Sequence, residues 1–147
     1  MRGVRVGQIE RIHALSSNAT ITGLLDEMFA AFNAHDAAKV VSLMTEDCVF
    51  ETAVGPEEFG ARHVGRTAVK TAFENVWAAM PDVRWDVTSH FVAGDRAVSE
   101  WVFRATRADG ARIEVQGCDL FTLRDGKVSV KRAFRKDRPP IAPRAGS

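Results

Sequence analysis

Turn signals cut the second half of this chain into four strand-length pieces and leave it few folds to adopt. Gly94-Asp95, Asp109-Gly110 and Arg124-Asp125-Gly126-Lys127 separate runs 84–92, 97–106, 112–123 and 128–134, all rich in β-branched and aromatic residues. Short links carrying Gly and Asp between such runs are hairpin turns, so successive runs pair antiparallel. The first half has a different period. Leu24, Leu25, Met28, Phe29 and Phe32 recur at helical spacing, which predicts an amphipathic helix from a Thr20 N-cap to about Ala34. Asp36 caps a second helix with Val40, Val41, Leu43 and Met44 as its apolar stripe. Residues 48–53 form a strand, and 54–63 form a loop with Gly55, Pro56 and Gly60. Thr67 caps a third helix that presents Val69, Phe73, Val76, Trp77 and Met80 and stops at Pro81-Asp82.

Helices grouped early and hairpins grouped late mean α+β. The expected architecture is a cone: a curved antiparallel sheet with three helices packed on its concave face. Such a cone encloses a small-molecule cavity at its open end. The 147 residues make one domain, with residues 1–19 as an N-terminal arm, 20–137 as the folded domain and 138–147 as a disordered tail.

Net charge is +1, so no global field draws the chain to nucleic acid or membrane. The basic residues from Arg124 to Arg144 carry no interleaved aromatics of the kind that bind nucleic acid. Cys48 and Cys118 sit in apolar runs and read as reduced, buried thiols. No N-terminal stretch fits a signal peptide and no run is long enough to span a membrane, so a cytoplasmic protein is expected. The histidines lack metal-ligand spacing, and no phosphate loop or nucleophile elbow is present, so neither metal nor cofactor is expected.

Asp119 stands out chemically. Alternation puts it on one strand face with Ile113, Val115, Phe121 and Leu123. A carboxyl among apolar side chains must be paired, hydrogen-bonded or protonated, which makes it a site candidate. Gly117 beside it leaves space for a ligand to approach. On the next run Lys131, Ala133 and Arg135 share a face. Phe50 and Thr52 share another, with Glu51 turned away. His35 and His90 are assigned no direct role.

Three stretches resemble the nuclear transport factor 2-like superfamily, in particular its SnoaL-like, polyketide-cyclase-type branch. They are Phe32-Asn33-Ala34-His35-Asp36, Met80-Pro81-Asp82-Val83-Arg84-Trp85, and the run from Gly117 to Val128. The resemblance covers roughly residues 20–137. It implies that Asp119 is the pocket acid or base and that the Lys131 face looks into the cavity. It places Glu100 and Arg104 on the inner face, giving an internal polar group of Glu100, Arg104, Asp119, Lys131 and Arg135. His63 falls in the loop at the mouth as a proton shuttle. Ketosteroid isomerases are similar in the same way and pair a general-base Asp with an oxyanion hole of a Tyr and a protonated Asp. Here the protonated Asp falls on Asp119, the Tyr on Met28 and the base on Thr52. With two of three parts missing, steroid isomerisation is not expected, and the chain contains no tyrosine at all.

The resulting expectation is a small-molecule-binding protein performing cofactor-free isomerisation, cyclisation or dehydration of an apolar carbonyl compound. Asp119 and Lys131 would be catalytic. Glu100, Arg104, Arg135, His63, Phe121, Met28 and Thr52 would line the ligand. The alternative is a ligand-binding or assembly module without turnover. Trp101, Phe103, Leu120 and Phe134 are expected to form an apolar outer face that covers itself by homodimerisation.

Overall fold

The computed structural model describes residues 6–145. Helix α1 (Val6–Asn33) is followed by α2 (Ala37–Ser42), β1 (Met44–Glu51), β2 (Arg62–Val64), α3 (Arg66–Ala79), β3 (Arg84–Ala93), β4 (Arg96–Thr106), β5 (Arg112–Arg124) and β6 (Lys127–Arg135). The α+β reading holds, with three helices on a six-stranded curved sheet. Two boundaries differ from expectation. Thr20 lies inside α1, which already begins at Val6; weak periodicity before Thr20 hid those turns. Residues 138–145 form no regular element, yet Ile141 and Arg112 exchange backbone hydrogen bonds of 2.7 and 2.8 Å along the start of β5.

Local chemistry sets the joints. His35 takes a left-handed φ of 56° and ends α1. Asp36 then caps α2, accepting a 3.0 Å bond from the Lys39 backbone N–H. Asn33 locks the end of α1 to β3 through a reciprocal pair with the Trp85 backbone, both bonds 2.9 Å. In the last hairpin Asp125 and Gly126 both have positive φ, 53° and 71°, as a two-residue turn matched to strand twist requires.

Strand order is β2-β1-β6-β5-β4-β3. The last four strands form the expected antiparallel meander. The sheet is nevertheless mixed, because β1 runs parallel to β6. That pairing joins the first long strand to the last and leaves no local turn signal in the sequence. The core fills the space between the sheet's concave face and the helices. Phe32, Phe73 and Phe50 stack in series there, with centroids 5.0 and 4.7 Å apart.

Candidate functional site

Side-chain alternation on β5 and β6 works as the sequence implies. Val115, Asp119, Phe121 and Leu123 point inward and are buried. Lys131 also points inward and is only 2% exposed. Asp119 is 0% exposed. Its Oδ1 accepts a 2.8 Å hydrogen bond from Lys131 Nζ. Its Oδ2 accepts a 3.0 Å bond from the Trp101 indole N–H. The Lys131 ammonium also lies over three aromatic rings, 4.5 Å from the centroid of Phe50, 5.3 Å from Phe32 and 5.6 Å from Phe73. A desolvated cation gains from such ring faces. Burial pushes the Asp119 carboxyl above its ordinary pKa; attraction and hydrogen bonding from Lys131, and the bond from Trp101, oppose this without cancelling it. Burial and the two donors thus act on the Asp119 carboxyl in opposite directions, and burial is the larger.

A cavity of about 220 Å³ opens beside this pair. Phe50, Trp85, Trp101 and Phe103 form its walls, and Lys131, Ala133 and Arg135 form the strand side. Thr52, Ala53, Val54, Val76 and Met80 complete the lining. Asp119 does not line it; Trp101 and Lys131 stand between the carboxyl and the space. Arg135 sits with its guanidinium carbon 5.1 Å from the Phe103 centroid. Burial lowers its pKa against the pull of Asp137.

Gly117 corrects one expectation. A Cβ there would meet the Trp101 ring atoms at 2.6 Å and collide with the Phe134 carbonyl oxygen. The missing side chain makes room for the indole that grips Asp119, not for a ligand.

Lys131, Arg135 and Thr52 gather at the cavity as expected, and the remaining candidates do not. Glu100 and Arg104 lie on the outer sheet face. Arg104 bridges Asp86 and Glu114, each at 2.9 Å, and Glu100 accepts a 3.1 Å bond from the Ser89 hydroxyl. The inner face of β4 belongs to Ala97, Ser99, Trp101, Phe103 and Ala105, all buried. Apolar residues occupy both parities of this strand, so alternation could not choose. Trp101 and Phe103 are accordingly core residues, not members of an outer apolar patch. Met28 and Phe121 are fully buried packing residues. His63 pairs with Phe50 across β1 and β2 and stacks on it at 6.0 Å, away from the cavity lining. Among the described residues no group of three or more His, Cys, Asp or Glu could hold a metal ion, and no helix is long and apolar enough to cross a membrane.

Sequence reasoning missed Trp101 as the second donor to Asp119. Its signal was present, since Trp101 pairs directly with Gly117 in an antiparallel ladder, and a large residue opposite a glycine often fills its place. It also missed a polar chain. His90 Nδ1 lies 2.7 Å from the Ser99 hydroxyl, and His90 Nε2 lies 2.8 Å from Asp26 Oδ1.

Comparison with known proteins agrees with this architecture. Residues 25–130 match the family model described as SnoaL-like domain. A nuclear transport factor 2-like protein of unknown function from Mesorhizobium loti is 34% identical, with a TM-score of 0.67 over 81% of this chain and 93% of that one. TerC, co-crystallised with polyporic acid, is 20% identical, with a TM-score of 0.69 over 80% and 92%. A protein of ketosteroid isomerase-like fold from Catenulispora acidiphila, in complex with trimethylamine, is 18% identical, with a TM-score of 0.66 over 76% and 83%. A search of curated proteins finds no match.

Proposed function

The chain belongs to the SnoaL-like domain family, and from that premise we propose that it binds one small, mostly apolar molecule bearing a carbonyl or acid group and moves a proton on it without a cofactor. The observation that carries this reading is Lys131, a buried amine that faces the cavity while its 2.8 Å partner is a carboxyl of raised pKa. With the shared proton on Lys131, the ammonium stabilises a developing oxyanion, an effect often worth about 3 kcal/mol. With the proton on Asp119, Lys131 presents a neutral amine that can take a proton from carbon. Asp119 thus sets the state of the group that touches the ligand. Arg135 supplies a second, half-desolvated cation at the same cavity.

Size narrows the ligand. About 220 Å³ is the liquid volume of roughly seven waters and lies below the range of about 300–1,000 Å³ usual for drug-sized ligands. A single-ring compound fits that space better than a steroid. One structural neighbour was crystallised with an acid and another with an amine; two cations at this cavity favour the acid.

Two measurements test the reading. Benzoate is titrated against its neutral isostere benzamide by calorimetry and by fluorescence of Trp85 and Trp101. Benzoate is expected to bind more tightly, with tenfold or greater loss in Arg135→Gln and in Lys131→Met. Exchange of the α-protons of acetophenone into heavy water is then followed by NMR. The wild type is expected to accelerate exchange and Lys131→Met to abolish the acceleration. Equal affinity for the two probes, insensitive to both substitutions, overturns the anion site. Binding without exchange favours the second reading, a ligand-binding module. That module would be a homodimer through the outer sheet face, where Phe91 is 69% and Phe134 45% exposed and Leu120 is half-buried. Light scattering at micromolar concentration decides: a dimer supports the self-association and a monomer removes it.

A further inference from the structure

Four adjacent strands each place one polar residue in a single inward row. His90 on β3 pairs with Ser99 on β4, Ser99 pairs with Asp119 on β5, and Lys131 on β6 reaches Asp119 from the neighbouring position. The far end of the row is Asp26 on α1, whose side chain is 68% exposed. Two links are hydrogen bonds: Asp26 Oδ1 to His90 Nε2 at 2.8 Å and His90 Nδ1 to Ser99 Oγ at 2.7 Å. The remaining step, Ser99 to Asp119, is between directly opposed residues on one face, where Cβ atoms stand about 4.5–5.5 Å apart. Both residues are 0% exposed.

This is not a nucleophilic triad. Ser99 is completely buried, so no substrate carbonyl can reach its oxygen. We propose instead that Asp26, His90 and Ser99 form a proton path that connects the buried Asp119–Lys131 pair to solvent on the α1 side, away from the cavity. It rests on the reading that a ligand fills that cavity, for which a separate exit for the proton matters most.

The chemistry balances through one rotating hydroxyl. With His90 neutral and its Nε2–H donating to Asp26, Nδ1 accepts a hydrogen bond from the Ser99 hydroxyl. When Asp119 gives its proton to Ser99 Oγ, Ser99 passes its own to His90 Nδ1. One proton has moved from Asp119 to His90, Ser99 is unchanged in charge, and the imidazolium is held by the Asp26 carboxylate. Asp26 then takes the Nε2 proton and gives it to water, leaving the Nδ1–H tautomer, and the same steps in reverse bring a proton from solvent back to Asp119. The groups facing His90 are Asp26 and the Phe29 ring from α1, the latter at 6.0 Å, and the Ser99 hydroxyl from β4, with the charged pair beyond Ser99. Protonating His90 turns the Ser99 hydroxyl toward Asp119 and gives that carboxylate a third donor, so the two titrations are coupled.

The test uses the full chain without ligand, so it stands apart from whether benzoate binds. The Asp119 carboxyl carbon and the His90 ring nitrogens are followed together by NMR as pH is varied. In the wild type the Asp119 signal is expected to inflect where His90 titrates. Ser99→Ala is expected to remove that inflection while His90 still titrates, and Ser99→Thr to keep it. A flat Asp119 signal in the wild type overturns the proposal by itself, whatever the variants do. An inflection that survives in Ser99→Ala also overturns it, because the coupling is then a field effect that needs no hydroxyl.

Discussion

Asp119 and Glu51 are both buried carboxylates on the same sheet, Asp119 deep in the interior and Glu51 just beneath the surface, each held by two residues. Asp119 faces inward to Lys131 and Trp101. Glu51 faces outward and accepts from Arg62 at 2.8 Å and Arg132 at 2.9 Å. Their acidities move in opposite directions. Burial raises both, but at Glu51 the hydrogen bonds and charges of the two arginines outweigh it and hold the carboxyl below its usual value. At Asp119 burial wins. The partners differ in hydration. Both arginines stay nearly half exposed, so forming the outer cluster leaves their charge in water. Lys131 is buried with its partner, and two desolvation costs meet one attraction. An ion pair on this sheet is secure where its cation stays wet and poised where its cation is dry.

That contrast can be broken in several ways. The largest effect is expected from Lys131→Met, which strands a buried carboxyl with only the Trp101 indole. It should cost about 3 kcal/mol in urea unfolding near neutral pH, and a loss no greater than that of Glu51→Gln would end the distinction. Next comes Gly117→Ala, expected to cost about 2 kcal/mol through overpacking. The added Cβ must displace the Trp101 ring, so tryptophan fluorescence should change with stability; a stable variant with unaltered emission would show that the ring has slack. Glu51→Gln is expected to cost about 1 kcal/mol and less in high salt, as for partly exposed pairs.

The smallest signal is a difference of sign with pH. Asp119 has a folded pKa above its unfolded one. Its contribution is greatest in acid and is lost as pH rises from the ordinary carboxylate range through the raised value. Glu51 has a depressed folded pKa, so its contribution is present above the unfolded value and lost as pH falls through the folded one. Stability profiles should therefore show Asp119→Asn gaining on the wild type as pH rises, and Glu51→Gln gaining on it as pH falls. Parallel profiles would mean that the inner carboxyl is an ordinary ionised acid.

The sequence reading succeeded where one strand had one apolar face. On β5 the period of two sets Asp119 among the inward apolar residues, and on β6 it groups Lys131 with Arg135, a face that the resemblance to SnoaL-like proteins turns inward. It failed on β4, where Val98 and Val102 on the outer face are as apolar as Trp101 and Phe103 on the inner one. There the family register was followed, and it turned Glu100 and Arg104 inward. The bulge between Val87 and Ser89 similarly shifts the parity set by Trp85 and Val87 and turns His90 inward, which alternation alone does not report. The partnership of Asp26 with His90 spans 64 residues, and no local pattern reports a contact at that distance. The parallel seam between β1 and β6 was illegible for the same reason.

That seam has a consequence for how the chain comes together in time. During synthesis from the N-terminus, β1 emerges long before its parallel neighbour β6, and only β2 can pair with it in the interval. Until residue 127 and beyond are available, the edge of β1 that will meet β6 has no partner, and the apolar faces of α1 and α3 lack part of the sheet they pack against. Folding governed by such a distant pairing is slow and leaves sticky intermediates open to aggregation. Chains halted just before β6 should accumulate as chaperone clients or inclusion bodies, while chains halted after Arg135 should be released soluble.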